Sequence, residues 1–209
     1  MQRELAEVTG AEQVGAYTLL RVQRGKIEPG IPGQFFMLEA PGRPLPRPMS
    51  LCLAPPAELA FLIDPIGPGT RALCTLRPGD RLAILGPLGT GYRLDVERPL
   101  LVGGGIGIAP LPYLSDTLGH PPAVLGFRSE LHAQAARLVP NAEVVLEPTA
   151  QLAWEAPMAC GYGACYGCAV EIDGELRRLC VEGPVLSAGA ERTSDRVLAN
   201  ASGAQDGSA

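Results

Sequence analysis

The sequence has no excess of basic residues and no long apolar run, and each absence excludes a class of protein. Lysine and arginine number 17 against 22 acidic residues, which gives a formal net charge of −5. Nucleic-acid-binding proteins usually carry a basic stripe, so we expect no nucleic-acid partner. The longest uncharged run, residues 99–115, contains four glycines and three prolines. It is also shorter than the roughly 18 apolar residues of a membrane helix, so we expect no membrane insertion.

Histidine is scarce, and the usual groups of a hydrolase are missing. The only two histidines are His120 and His132. Because no constellation of nucleophile and general base is visible, bound cofactors would have to carry any chemistry. Residues 1–7 have no apolar core of the kind that a signal peptide requires. The expectation is a cytoplasmic protein whose thiols stay reduced.

Cysteine, in contrast, is concentrated in one stretch. Four of the six cysteines fall between positions 160 and 180: Cys160, Cys165, Cys168 and Cys180. Their order, C-x4-C-x2-C followed by a distant fourth cysteine, is the plant-type spacing of a [2Fe–2S] cluster held by four thiolates. Glycines at 161, 163 and 167 allow the loop to curl tightly and to bring backbone N–H groups near the sulfurs. The spacing therefore predicts an iron–sulfur site.

Other uses of these cysteines must be weighed. A four-cysteine zinc site usually has two C-x2-C knuckles, and here only Cys165 and Cys168 form one. Disulfides would need an oxidising compartment, which nothing in the sequence indicates. A Rieske centre needs two histidine ligands, but His120 and His132 lie outside the loop. The cluster is favoured, and zinc and disulfides stay open as alternatives.

Residues 15–97 are short apolar runs separated by Gly and Pro turn pairs. We predict strands at 17–22, 34–38, 48–53, 60–63 and 81–85. Several short strands at regular spacing favour a small antiparallel β-barrel. Cys52 and Cys74 lie in apolar surroundings, where free cysteine packs as a small hydrophobic residue.

Two polar motifs interrupt this first half. In Arg47-Pro48-Met49-Ser50, the guanidinium suits a phosphate and the hydroxyl suits the polar edge of a cofactor ring. A surface arginine before a strand is the alternative. Gly69 and Thr70 open a short predicted helix, whose free N–H groups suit a diphosphate. An ordinary helix cap explains that second motif equally well.

The second half begins as an α/β pattern. We predict a strand at 98–102, a glycine turn at 103–107 and a helix from 109, then a strand at 123–127, a helix at 130–138 and a strand at 142–146. Gly104 and Gly105 allow a phosphate or flavin to approach the backbone. The turn does not match G-x-G-x-x-G, so a ligand-free turn stays open. Residues 187–209 are predicted to be a disordered tail.

Taken in order, these segments resemble the electron-transfer subunit of the two-subunit, NAD-linked dihydroorotate dehydrogenases. The resemblance covers about residues 10–186 and is specific as an ordered set. The matching segments are Pro32-Gly33-Gln34-Phe35, Arg47-Pro48-Met49-Ser50, Gly69-Thr70, Gly86-Pro87-Leu88-Gly89, residues 101–107, Pro110-Leu111, residues 125–129 and Met158-Ala159-Cys160, with Cys165, Cys168 and Cys180.

The resemblance implies the architecture of a ferredoxin reductase. We expect an antiparallel FAD-binding β-barrel at 1–97, a shortened α/β nucleotide-binding domain at 98–150 and a C-terminal [2Fe–2S] segment at 151–186, before the tail at 187–209. By position, FAD would be held by Arg47, Pro48, Met49, Ser50, Leu62, Ile63, Asp64, Gly69 and Thr70. The cluster would be held by Cys160, Cys165, Cys168 and Cys180.

The function that the resemblance implies is electron relay in pyrimidine biosynthesis. The cluster and FAD would pass electrons between the FMN of a dihydroorotate dehydrogenase catalytic subunit, joined in a heterotetramer, and NAD or another acceptor. The family usually has a further strand–helix portion before the cluster, and here only about ten residues separate 148 from 158. Nicotinamide binding is therefore left open. The alternatives are a reductase subunit of hydrogenase or ferredoxin:NADP type, or a non-catalytic zinc-bearing module.

Overall fold

The computed structural model describes residues 2–127, 129–141, 151–153, 158–172 and 175–187. The strands are β1 Gln2–Val14, β2 Tyr17–Gln23, β3 Phe35–Leu38, β4 Arg47–Ser50, β5 Glu58–Ile63, β6 Arg81–Leu88, β7 Leu101–Gly104, β8 Ala123–Gly126, β9 Gln151–Ala153, β10 Ala169–Ile172, β11 Glu175–Arg178 and β12 Val185–Ser187. The α-helices are α1 Pro68–Cys74, α2 Leu111–Thr117 and α3 Glu130–Ala133, and 3-10 turns cover Gly105–Ile108 and Gln134–Leu138.

The first six strands form one curled antiparallel sheet in the order β4-β3-β6-β1-β2-β5. The two edge strands, β4 and β5, approach each other where a single bridge joins Leu53 to Ala60. Among the described residues no ladder joins β4 to β5, so the sheet is a half-barrel with an open seam. The predicted antiparallel barrel is confirmed in this form.

Three strands of the half-barrel are buried on both faces. Phe36 and Leu38 of β3 face the barrel interior, while Phe35 and Met37 pack beneath the cysteine segment. In β2 and β5, successive residues alternate: one faces the barrel interior and the next faces the α/β layer. Because side chains alternate along a strand, a continuous apolar run is what two covered faces require. The half-barrel is therefore the middle layer, with the α/β layer and the cysteine segment on different parts of its outer surface.

The α/β layer is small in the part of the chain that the structure describes. Strands β7 and β8 pair in parallel, and α2 connects them. The helix predicted at 130–138 is only partly present, because α3 ends at Ala133 and a 3-10 turn follows. Only Ala135 is buried in that stretch, so little packing supports a regular helix. The strand predicted at 142–146 lies outside the described residues. The tail predicted at 187–209 also lies outside them, except for Ser187, which ends β12 and is therefore a strand residue.

Strand β1 is the longest element and was not predicted. Its 13 residues pair with β6 over the first half and with β2 over the second half. Only Ala6, Val8 and Val14 are buried, so the strand lacks the apolar pattern that marks the others. The strand is instead stabilised by its backbone hydrogen bonds to β6 and β2. Within the described residues, no helix is both long and apolar enough to span a membrane.

Candidate functional site

The cysteine segment brings its four sulfurs together as two pairs. The Cys165 thiol donates a hydrogen bond to the sulfur of Cys160. The Sγ atoms of Cys168 and Cys180 lie 3.2 Å apart. The hairpin of β10 and β11 makes the second pair, because it returns the chain from Cys168 to Cys180. All six cysteines of the chain are free thiols, so the disulfide alternative is not supported.

The curl of the loop depends on residues in the left-handed backbone region. Gly161 and Gly163 have φ angles of 77° and 86°, and Tyr166 has a φ angle of 56°. Glycine adopts this conformation freely, whereas tyrosine does so at a cost. A Cβ on Gly161 would stand 2.8 Å from Cγ of Met37, and one on Gly163 would stand 2.7 Å from Cγ2 of Val181. Both positions therefore require glycine.

The loop also directs backbone N–H groups at its sulfurs. Burial opposes ionisation of Cys160, but hydrogen bonds from the N–H groups of Tyr162, Cys165 and Ala164 and from the Cys165 thiol hold its pKa at about 6. The N–H group of Gly167 donates to Sγ of Cys165 at 3.4 Å. Burial, with the neighbouring Cys168 thiol, raises the pKa of Cys180 to about 12. Such N–H donors are typical of sites that stabilise thiolates.

This arrangement fits a [2Fe–2S] cluster. The cluster takes two thiolates on each of its two irons, and the chain supplies two pairs of sulfurs. Within the described residues, no group of three or more Cys, His, Asp or Glu side chains is arranged around one point that a single metal ion could occupy. A single zinc ion would need all four sulfurs around one point, so the paired arrangement favours the two-iron cluster over zinc.

The cysteine segment is fixed to the outer face of the half-barrel. Cys168, Cys180 and Leu179 share a buried cluster with Phe35 and Met37 of β3 and with Leu88 of β6. Beyond β6, the N–H group of Thr90 donates to the carbonyl oxygen of Gly183, and Thr90 bridges to Pro184. The sulfurs therefore lie on the surface of β3, directly beside the edge strand β4.

The edge strand carries the predicted cofactor residues, and its arginine reaches α1. A Cβ added to Gly69 would collide with the Arg47 guanidinium, with the Cζ and Nη2 atoms both 2.8 Å away. Among the described residues, the Arg47 side chain makes neither a hydrogen bond nor an ion pair. Within that described part of the chain, the Arg47 guanidinium therefore lies on bare glycine backbone without a paired carboxylate, an arrangement that suits a phosphate. The structure thus brings together two motifs that are 22 positions apart in sequence.

The other predicted cofactor residues divide into two groups. Pro48, Met49 and Ser50 are half-buried on β4, at the open seam. Leu62 and Ile63 are fully buried with their side chains in the two large cores. Because both side chains are buried, these two residues can contact a ligand only through main-chain atoms. The sequence alone did not show this.

Thr70 is already engaged within its own helix. Its Oγ1 accepts a hydrogen bond from the N–H group of Gly67 at 3.0 Å and donates to the Gly67 carbonyl oxygen at 3.2 Å. This is a capping arrangement, the alternative that the sequence left open for this motif. A diphosphate at this end of α1 would therefore be held by Arg47 and backbone N–H groups before the Thr70 hydroxyl.

Asp64, Gly104 and Gly105 line a separate cleft of about 420 Å³ between the half-barrel and the α/β layer. Tyr17, Phe127 and His132 also line it and were not predicted from sequence. Tyr17 is 1% exposed, and its ring meets the His132 ring edge-to-face at 5.4 Å. The carboxyl ends of β7 and β8 open into this cleft, where α/β folds usually bind nucleotides.

The last part of the chain matches a family model of an iron–sulfur segment. The model describes the iron–sulfur cluster binding domain of dihydroorotate dehydrogenase B and matches residues 155–190. This range includes all four cysteines of the site.

Relatives over most of the chain have one name. The dihydroorotate dehydrogenase B (NAD(+)) electron transfer subunit of Geobacillus thermodenitrificans is 30% identical and aligns with 76% of this chain and 85% of its own length. The subunit of that name from Clostridium perfringens is 26% identical over 225 aligned positions, with 83% of this chain and 90% of the relative covered. Since 83% of 209 residues is about 173, about 50 of those positions have no counterpart here.

Solved structures show the same fold. A chain of the NADH-dependent reduced ferredoxin-NADP oxidoreductase superposes with a TM-score of 0.75 at 18% identity and covers 88% of both chains. The ferredoxin reductase of carbazole 1,9a-dioxygenase superposes with a TM-score of 0.56 at 22% identity, over 63% of this chain and 44% of that one. The predicted β plus α/β architecture with a C-terminal iron–sulfur segment is confirmed.

Proposed function

Because this chain belongs to the family of dihydroorotate dehydrogenase B electron transfer subunits, we propose that it relays electrons for dihydroorotate oxidation in pyrimidine biosynthesis. In this proposal it is an oxidoreductase subunit that does not itself oxidise dihydroorotate. Residues 1–97 hold FAD, residues 98–150 form a shortened nucleotide domain and residues 151–186 hold the [2Fe–2S] cluster. Free thiols throughout favour the cytoplasm as its compartment.

One observation carries the proposal: the cysteine segment lies one strand away from the flavin motif. Met37 of β3 contacts Gly161 of the cysteine loop and pairs across the sheet with Pro48 of β4. Neighbouring strands are about 4.8 Å apart. The two cofactor sites are therefore adjacent surfaces of the same small sheet, which is what an electron relay requires.

When bound, the cluster carries single electrons and the flavin exchanges them with a two-electron carrier. The protein's task is to hold the two groups in place. We assign Cys160 and Cys165 to one iron and Cys168 and Cys180 to the other. The N–H groups around Cys160 and Cys165 favour the thiolate forms that bind iron.

At the flavin end, we assign the diphosphate to Arg47 and to the backbone beside Gly69. The ring would lie along the open seam, where Ser50 presents a hydroxyl. The main-chain groups on the outer edge of β4 are outside the ladder with β3. Unpaired edges of this kind bind extended polar groups well, because each N–H or C=O needs a partner. The cleft beside Asp64, Gly104 and Gly105 is assigned to the exposed face of the flavin.

The partner of this subunit is the catalytic flavoprotein, and we propose that it docks over the cysteine loop. Cys165 is exposed there, and the side chains of Tyr162, Tyr166 and Val181 are 60%, 61% and 43% exposed. Exposed aromatic side chains are typical of binding surfaces, and contact at this place brings the donor near the sulfurs. We propose a heterotetramer with two copies of each subunit.

The test is to co-express the chain with the catalytic subunit of its own organism and to follow dihydroorotate-driven reduction of the cluster and flavin anaerobically. The variant Tyr162→Glu should weaken assembly on size-exclusion chromatography with light scattering. Leu131→Glu is the matched control, because Leu131 is a 54% exposed apolar side chain on α3, far along the chain from the loop. A dihydroorotate-reduced catalytic subunit that leaves this chain oxidised would contradict the proposal.

A further inference from the structure

Arg178, at the end of β11, touches the cysteine loop at two places. Its Nη1 atom donates to the carbonyl oxygen of Gly163 at 3.3 Å. Its guanidinium lies over the ring of Tyr166, with Cζ 5.2 Å from the ring centroid. Arg178 lies outside the cysteine motif and outside the motifs that we identified in the sequence.

Each of these contacts adjoins an N–H group that is directed at a sulfur. The N–H group of Gly163 donates to Cys180, from the residue whose carbonyl Arg178 holds. The N–H group of Gly167 donates to Sγ of Cys165 and comes directly after Tyr166. Arg178 therefore supports two N–H···S hydrogen bonds, to two different cysteines.

Glu182 fixes the arginine in this position. Glu182 Oε1 accepts from Nη2 of Arg178 at 3.0 Å, and Glu182 Oε2 accepts from the Arg178 backbone N–H group. The two side chains are 29% and 33% exposed, so the pair is partly shielded from water. A guanidinium held at several points in this way has little freedom to leave the loop.

The backbone of Tyr166 explains why the contact between the Arg178 guanidinium and the Tyr166 ring matters. Its φ angle of 56° lies in the left-handed region, which a bulky residue adopts only when its surroundings require it. That backbone conformation directs the next N–H group toward Cys165. The stacked guanidinium stabilises the ring, and through it the turn.

We propose that Arg178 is a positioning residue that sets the reduction potential of the cluster. The inference rests on the proposed function, since it assumes that the four cysteines hold the cluster. A [2Fe–2S] cluster held by the four cysteines would gain one negative charge on accepting one electron from the catalytic flavoprotein, with no bond made or broken. N–H···S hydrogen bonds and a nearby fixed cation both favour that extra charge. Arg178 supports the two hydrogen bonds, and its guanidinium lies against the loop while offsetting the Glu182 carboxylate beside it, so it raises the potential.

The experiment is a redox titration of the purified, cluster-loaded protein, followed by electron paramagnetic resonance. Arg178→Met removes the charge and the donors, and Arg178→Lys keeps the charge but removes the planar fork. Arg137→Met is the matched control, because Arg137 also pairs with a glutamate, Glu12, at 2.7 Å. We expect Arg178→Met to lower the reduction equilibrium constant at least tenfold, which is 59 mV for one electron. Arg178→Lys should fall between it and the wild type, and Arg137→Met should match the wild type.

A wild-type potential in cluster-loaded Arg178→Met would overturn the inference. If Arg178→Met fails to hold a cluster, Arg178→Lys decides, because a wild-type potential in that variant would show that charge alone suffices and that positioning has no role. Failure of the proposed function is distinguishable from both, since the wild-type chain would then show no iron–sulfur signal.

Discussion

Met37 of β3 packs directly against the backbone of Gly161 in the cysteine loop. A Cβ on Gly161 would stand 2.8 Å from Cγ and 3.0 Å from Sδ of Met37, and the φ angle of 77° also disfavours any other residue. This contact fixes the first cysteine pair against the sheet. It therefore links the cluster site to the strand that pairs with β4, where we propose that the flavin binds.

Replacing Gly161 with alanine should accordingly damage both stability and cluster binding. The strained backbone alone costs about 1–3 kcal/mol, and the collision with Met37 adds to it. We expect a lower free energy of unfolding in a denaturant titration and less iron per chain. The control is Ala164→Ser, a small change at an exposed position of the same loop. Wild-type iron content in Gly161→Ala would mean that the loop does not need this contact.

Arg47→Ala should weaken FAD binding. A hydrogen bond between charged groups contributes about 1.5–3 kcal/mol, so the dissociation constant should rise by roughly one to two orders of magnitude. Flavin fluorescence during equilibrium dialysis measures it. Arg71→Ala is the control, because Arg71 lies on α1 close to Gly69 but donates to the carbonyl oxygens of Pro65 and Ile66. Equal affinity in wild type and Arg47→Ala would place the phosphates elsewhere.

Gly69→Ala should have the same effect without removing any charge. The added methyl group would occupy the place of the Arg47 guanidinium, so the side chain must move away from the backbone of α1. We expect reduced FAD affinity with little change in overall fold. Gly107→Ala is the matched control, since a Cβ there meets nothing within 4 Å. If both variants bind FAD as tightly as the wild type, the Arg47–Gly69 contact is not part of the site.

The sequence predicted the parts of the molecule that follow local rules. Apolar runs between turn pairs correctly indicated β2, β3 and β5, and cysteine spacing indicated the iron–sulfur segment. Strand β1 was missed because its register is set by pairing with β2 and β6, and not by an apolar pattern of its own. The predicted helix at 130–138 was wrong in its second half, where only Ala135 is buried.

The sequence suggested residue types for the proposed flavin site but not how these residues are arranged in space. The Arg47 and Gly69 motifs were both identified, yet their contact depends on how the half-barrel curls. Arg178, Tyr17 and His132 were missed because each acts through tertiary contacts and none belongs to a motif. For Leu62 and Ile63, the sequence could not distinguish a side-chain contact from a main-chain one.

NADH should be a poor electron donor to the flavin of the isolated subunit. About 50 positions of the Clostridium perfringens relative have no counterpart in this chain, and dinucleotides need walls on both sides of a cleft. We expect slow or no flavin reduction when NADH is mixed anaerobically with the flavin-loaded protein in a stopped-flow instrument. Another acceptor, or a nicotinamide site completed by the partner, would then serve the complex. Rapid, saturable bleaching at micromolar NADH would contradict this.

The most direct test of the relay is the cofactor content of the chain after anaerobic purification, compared with Cys165→Ser. The wild type should contain about two irons, two sulfides and one FAD per chain, as a [2Fe–2S] flavoprotein requires. Cys165→Ser should lose iron and sulfide and keep FAD, because the flavin site that we propose lies on β4 and α1. A colourless wild-type protein that contains zinc, or iron and sulfide unchanged in Cys165→Ser, would contradict the account.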